Sequence, residues 1–164
     1  KSRSRGLGDV YKRQIDNVEL DKVVGDAIDL FETRHSTVSI QYSPQSDQMV
    51  RANSIRLEQV LVNLISNALD AIEYREQPEL SISTQEHSNT IQILVMDNGL
   101  GIPEEDIPHL FDPFYTRKTT GKGLGLGLSI AYNIIKDFGG SIHVESVEHQ
   151  GTTFIVTLPK GTGS

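Results

Sequence analysis

There is no cysteine among the 164 residues. Disulfides, thiolate nucleophiles and zinc–thiolate sites are therefore excluded, which suits a reducing compartment. No apolar run approaches the ~18–20 residues needed to span a bilayer. Positive charge is scarce: 15 Lys and Arg stand against 22 Asp and Glu, for a net charge of −7. A nucleic-acid partner held through its phosphates is not expected on that balance. Nothing reads as a signal peptide or an internal repeat. Two well-known phosphate-binding spellings, G-x-x-x-x-G-K-[ST] and G-x-G-x-x-G, are also missing.

What is present suffices for one domain with a real core. The first fourteen residues, KSRSRGLGDVYKRQ, are basic, Gly-rich and aperiodic, unlike the acidic remainder. They resemble translated adapter sequence, or else a disordered linker. We therefore expect a leader over 1–14, one folded domain over 15–160, and a short tail over 161–164. The abrupt start near Ile15 reads as a fragment.

Apolar residues at Val23, Val24, Ala27, Ile28, Leu30 and Phe31 predict a helix from Val18 to about Arg34. Strands are predicted at Val38–Ser43 and around Met49–Ala52. Asn53 or Ser54 can cap a second helix running to about Tyr74. LSISTQ and TIQILVMD read as a hairpin turning at His87, Ser88 and Asn89. Beyond it, from Asn98 to about Gly125, only a short helix near Glu104–Phe111 is visible. A helix over Leu126–Phe138 is closed by Gly139 and Gly140, and SIHVESV and TTFIVTLP form two last strands. This mixture predicts an α+β sandwich, a largely antiparallel sheet with helices on one face. The 98–125 connection is longer than ordinary loops, and it holds Phe111, Phe114 and Tyr115, so it reads as a lid.

Three segments carry candidate chemistry. On the second helix Arg56, Gln59, Asn63, Asn67 and Asp70 form a polar stripe at three- and four-residue steps. It is either a solvated face or a pair of asparagine amide oxygens aimed at a hard cation or a phosphate. In MDNGLGIP a strand delivers Asp97 at its end, and Gly99 and Gly101 permit tight turns. That is either a simple turn or a carboxylate offered to a ligand amino group. In GKGLGLGLS glycines alternate at 121, 123, 125 and 127 just before a helix. Backbone N–H groups there can approach an anion at the positive end of the helix dipole. The bland reading is a hinge without a ligand.

Together these segments resemble the ATP-binding catalytic domain of sensor histidine kinases, of the Bergerat-fold (GHKL) superfamily, from Ile15 to Lys160. RLEQVLVNLISNALDA resembles the N box, DNGLGI the G1 box, FDPFYTRK the F box, GKGLGLGLS the G2 box, and GTTF the last glycine element. The spelling is nearest to sensors of nitrogen status and C4-dicarboxylates. The resemblance implies a Bergerat-type two-layer sandwich that binds ATP and Mg²⁺. Asp97 would bond the adenine amino group, helped by Thr152 through water. Gly99, Gly101 and Ile102 would shape the adenine pocket. Asn67 would carry Mg²⁺, with Asn63 beside it. Phe111 and Phe114 would anchor the lid, and Gly123, Leu124, Gly125, Leu126 and Gly127 would lie along the triphosphate. Lys118 or Lys122 would reach the γ-phosphate.

ATPases of the same superfamily carry a glutamate where this chain has Asn63. An amide has no useful basicity, so phosphoryl transfer is favoured over hydrolysis. Glu58 is either a helper base or an exposed helix residue. None of His35, His87, His109, His143 and His149 sits in an acceptor context such as H-E-[LIV]-x-x-P. The acceptor histidine would therefore lie on an upstream dimerisation domain, with a response-regulator receiver domain next in line. The fragment is expected to bind ATP without autophosphorylating, to be monomeric within a homodimeric parent, to be cytoplasmic, and to make no direct membrane contact. A Bergerat-fold ATPase and a degenerate nucleotide-binding module are the alternatives.

Overall fold

The computed structural model describes residues 14–32, 38–45, 47–113, 115 and 124–162. Strand alternation sets the layers. In β5 (Thr90–Asp97) the side chains of Ile91, Ile93 and Val95 are buried while their neighbours are not. β7 (Gly151–Pro159) buries Thr152, Phe154, Val156 and Leu158 in the same way. Period-two burial of this kind gives a sheet one dry face and one wet face. These strands form the centre of a five-stranded sheet ordered β2-β4-β5-β7-β6. The outer members are β2 (Ile40–Tyr42), β4 (Leu80–Glu86) and β6 (Ser141–Val147). Among the described residues of this sheet, β2 pairs in parallel with β4 and the other pairings are antiparallel.

The dry face is covered by helices. α1 (Leu20–Glu32) buries Leu20, Val23, Val24, Ala27 and Ile28. α2 (Ser54–Ala71) buries Leu57, Leu61, Leu64, Ile65 and Ala68. α3 (Leu124–Asp137) adds Leu128, Ala131, Ile134 and Ile135. All belong to one core cluster with the inward residues of β4, β5 and β7. The expected sandwich, with a mixed, mostly antiparallel sheet, is therefore present. Among the described residues no helix is long and apolar enough to cross a membrane.

The first helix starts later than its periodicity predicts. Asp16–Glu19 is a strand, β1, paired antiparallel with β3 (Met49–Ala52), Val18 lying opposite Val50. Leu20 N–H then donates to the Gln48 carbonyl at 3.0 Å. A distant pairing partner overrides the local pattern at Val18. At the other end of the chain, Gly161 N–H donates to Met49 O at 2.8 Å and Asn17 Nδ2 donates to Thr162 Oγ1 at 2.9 Å. These two residues of the expected tail are thus hydrogen-bonded to the β1–β3 ribbon. α2 also stops short of Tyr74, at Ala71, and α3 begins at Leu124, so Gly125 and Gly127 lie inside its first turns.

α2 starts at Ser54 because Asn53 caps it. Asn53 is extended (φ −104°, ψ 124°), and its Oδ1 accepts from Arg56 N–H at 3.0 Å. Its Nδ2 donates to the Gln14 carbonyl at 2.9 Å, and only 8% of the residue is exposed. Asn53→Ala should cost about 1–2 kcal/mol, a fall in melting temperature of roughly 2–8 °C, read by differential scanning calorimetry. An unchanged melting curve would show that the cap carries no stability.

Candidate functional site

Asp97 ends β5 directly opposite Thr152 of β7. Its Oδ1 accepts the Gly99 N–H at 2.8 Å. Burial pushes the carboxyl above its ordinary range, against the opposing pull of the Gly99 and Thr152 backbone N–H groups. Burial wins because the charged form loses its water. A carboxylate held this way accepts strongly from a ligand N–H.

The turn after Asp97 is pressed against its neighbours so closely that it requires glycine. A Cβ at Gly99 would lie 2.4 Å from the Ala71 carbonyl oxygen at the end of α2. Gly101 has φ +71°, and a Cβ there would lie 2.2 Å from Val147 O. The turn is then tied on several sides. Leu100 N–H donates to Ala71 O at 3.1 Å, and His149 N–H donates to Leu100 O at 2.5 Å. Arg75 Nη2 donates to Gly99 O at 2.9 Å and also to His149 O. Asn98 spans the gap to the start of β4, accepting from Glu79 N–H and donating to Gln77 O, both at 2.8 Å.

These constraints frame a small, partly open pocket. Asn67 and Ala71 from α2 line one side, and Asp97 and Thr152 supply polar groups at the sheet. Ile102, Leu110, Leu128 and Phe154 make much of the remainder apolar. A few convergent polar groups in an apolar cleft is the usual build of a small-molecule site. Tyr115 and Gly101 also reach the pocket.

Phe111 does not line it. Its ring stacks on Tyr132 of α3 at 5.4 Å and meets Phe154 edge-on at 6.4 Å, fastening the segment after the short 3₁₀ helix (Glu104–His109) to α3 and β7. Asn63, one helical turn before Asn67, donates through Nδ2 to Gly127 O at 3.3 Å. The two asparagines therefore face the start of α3 and the pocket, rather than forming a simple solvated stripe. Glu58 is placed elsewhere. It lines a wider groove together with Glu19, Lys22, Asp26 and Ile55. That groove and the Asp97 pocket share no lining residue.

Phe114, Lys118, Lys122 and Gly123 lie outside the described residues. Leu124, Gly125 and Leu126 are placed only as backbone of α3. Sequence reasoning missed Arg75, Ser146, Leu110 and Leu128. Arg75 follows a helix end and Ser146 sits in an ordinary alternating strand, so neither carries a local signal.

The model of the family "Histidine kinase-, DNA gyrase B-, and HSP90-like ATPase" matches residues 52–162. The C4-dicarboxylate transport sensor protein DctB of Pseudomonas aeruginosa is 34% identical over 148 residues, covering 88% of this chain and 24% of that protein. DctB of Rhizobium meliloti is 43% identical over 130 residues, covering 79% and 20%. The chain thus spans about a quarter or less of the length of these relatives. The nucleotide-free catalytic domain of histidine kinase ThkA superposes with a TM-score of 0.78 at 33% identity, covering 90% of this chain and 97% of that one. The mycobacterial sensor histidine kinase MprB shares the fold, with a TM-score of 0.78 at 18% identity. Sterically demanded glycines beside a half-buried acidic strand end, asparagines of α2 at the pocket and at the start of α3, and matches along most of the chain lead to one assignment: the chain belongs to the histidine kinase-, DNA gyrase B- and HSP90-like ATPase family, among the catalytic domains of its sensor histidine kinases.

Proposed function

We propose that this domain binds Mg-ATP in the Asp97 pocket and donates the γ-phosphoryl to a histidine on a dimerisation domain of its parent protein. The observation that carries the reading is the desolvated Asp97 carboxylate in a pocket whose other polar group at the sheet is Thr152. A flat base with an exocyclic amino group satisfies that acceptor and fills the apolar remainder. Asn67 lies on the same pocket and supplies an amide oxygen, a hard donor suited to Mg²⁺. Among the described residues there is no group of three or more His, Cys, Asp and Glu able to hold a metal. When bound, Mg²⁺ would neutralise charge on the phosphates.

The transfer forms an N–P bond at the acceptor histidine and breaks the bond between the γ-phosphorus and the β–γ bridging oxygen, so ADP leaves. This chain's task is to hold ATP in line and keep water out. Asn63 stands at the α2–α3 seam and cannot act as a base toward water. Glu58, in its separate groove, is not positioned to replace it. Both observations support transfer over hydrolysis. Either Lys118 or Lys122 would add positive charge at the γ-phosphate, and a response-regulator receiver domain would take the phosphoryl group next. In this reading the fragment is a monomer on the cytoplasmic side, and its parent is a homodimer.

Calorimetric titration of the chain with ATP, with and without Mg²⁺, tests the reading. Tighter binding with Mg²⁺ and no steady ATP turnover are expected. Turnover by the isolated domain would favour an ATPase, and no binding by a folded domain would favour a degenerate module. Asn67→Ala should weaken ATP at least roughly tenfold in Mg²⁺ and leave affinity in EDTA unchanged. Retained Mg²⁺ dependence would remove the metal role from Asn67.

A further inference from the structure

Gly99 has no room for a side chain, since a Cβ would lie 2.4 Å from the Ala71 carbonyl oxygen. Such a residue can be ordered only through its main-chain groups, and glycine has the most freedom to lose. Both groups are held. The Gly99 N–H donates to Asp97 Oδ1 at 2.8 Å. The Gly99 carbonyl accepts from Arg75 Nη2 at 2.9 Å, and the same nitrogen donates to the His149 carbonyl. A terminal guanidinium nitrogen carries two hydrogens, so each carbonyl takes one. Arg75 is itself placed by the turn after α2, where its N–H donates to Ile72 O at 3.0 Å. His149 has φ +69°, an uncommon conformation for a residue with a side chain. Its main chain is bonded both to Leu100 O, through N–H, and to Arg75, through the carbonyl. One guanidinium thus joins the end of α2, the Gly99 turn and the β6–β7 turn. The Gly99 turn runs on into the pocket through Gly101 and Ile102, and Ile102 N–H donates to Ser146 Oγ at 2.8 Å.

We propose that Arg75 is a positioning residue for nucleotide binding: by holding the Gly99 carbonyl it keeps the Gly99 N–H on the Asp97 carboxylate and fixes the turn in its binding shape before the nucleotide arrives. The inference rests on the ATP reading of the pocket. Arg75 is not among the residues lining that pocket, so its effect passes through Gly99. A turn ordered in advance spares the nucleotide the cost of ordering it. The Gly99 N–H also favours the charged form of Asp97. Loosening Gly99 therefore weakens binding in two ways. The turn must be ordered on binding, and Asp97 keeps its proton to a higher pH. A general loss of stability would not produce the second effect.

The test is calorimetric titration with ADP in Mg²⁺ across pH 4–8, with a melting curve for every variant. Arg75→Met keeps an unbranched apolar stem and loses every donor. It should weaken ADP about 3- to 10-fold at neutral pH, the equivalent of one net hydrogen bond. It should also move the acid fall-off in affinity to higher pH. Arg75→Lys keeps a cationic donor without the planar fork and should show smaller changes in the same direction. Asn53→Ala, at the opposite end of α2, is the stability control. It should lower the melting temperature and leave both the affinity and the acid fall-off in place. ADP titrates alike in every sample. The other titratable side chains near Asp97 and Arg75 are Tyr115 in the pocket, Glu145 on β6, Glu76, and Glu148 and His149 on the β6–β7 turn, and the substitutions retain them all. Should Arg75→Met not fold, Arg75→Lys carries the measurement. Unchanged affinity in folded Arg75→Met, or weaker affinity with an unmoved acid fall-off, would overturn the proposal while leaving ATP binding intact. An unaltered chain that binds no ADP would overturn the proposal together with the ATP reading.

Discussion

Asp97→Asn is expected to weaken ATP by roughly 30- to 150-fold without lowering the stability of the nucleotide-free domain at neutral pH. The affinity loss corresponds to about 2–3 kcal/mol for a buried hydrogen bond to a charged acceptor. An asparagine can still accept the Gly99 N–H, but its amide then directs donors where a ligand N–H should enter. The stability half follows from the raised carboxyl. The nucleotide-free folded state holds the Asp97 proton more tightly than the unfolded chain does. The favourable contribution is therefore complete below the ordinary aspartate range near ~4 and is lost as pH rises through the folded value. At neutral pH the ionised, desolvated carboxylate is a cost, and asparagine removes it. Nucleotide affinity runs the other way. It requires the ionised acceptor, so it should fall on acidification at a higher pH than an unperturbed aspartate would give. Titrations across pH 4–8, with melting curves for both proteins, check both halves. Unweakened ATP binding by Asp97→Asn would remove the carboxylate from the site, and an apo domain markedly less stable than the parent would contradict the desolvation account.

Gly101→Ala should be a severely damaging single-methyl change in the site. The position has φ +71°, and the new Cβ would sit 2.2 Å from Val147 O and 2.8 Å from Glu148 Cα. Both are backbone atoms, so no side-chain rotation relieves the contact. The strained dihedral and the overlap together should cost about 3 kcal/mol or more, a fall of roughly 6–12 °C in melting temperature. The displaced turn would also carry Ile102 away from Ser146 and open the pocket, so ATP binding should disappear at temperatures where the variant is still folded. Gly25→Ala on α1 is the matched control. Nothing lies within 4 Å of its Cβ position, and removing a helix-interior glycine should add roughly 0.5–1 kcal/mol. Equal melting temperatures for the two variants would refute the steric account of Gly101.

Much of the architecture is legible without coordinates because burial repeats locally. Period-two alternation in Thr90–Asp97 and the wide apolar stripe of Ser54–Ala71 each announce their element. The N-terminal boundaries are harder. Val18 fits a helix stripe and becomes a strand only because Val50 is its partner. Gly125 reads as the end of a loop by composition, yet it lies within α3.

By itself the sequence determined the residue types that chemistry needs at particular places: an acid ending an apolar strand, glycines at 99 and 101 that permit tight turns, and asparagines one turn apart on α2. These follow from short-range periodicity and turn chemistry, which adjacent residues carry, whereas the close approach of Ala71 to Gly99 and of Val147 to Gly101 is set by the tertiary structure. Only the tertiary structure decided which of them meet. Arg75 reaches Gly99 and His149, Ser146 reaches Ile102 and Thr152, and Glu58 is turned to a different groove. A hydrogen bond between strands or across a turn depends on the register of segments far apart in the chain, and no local pattern encodes that register.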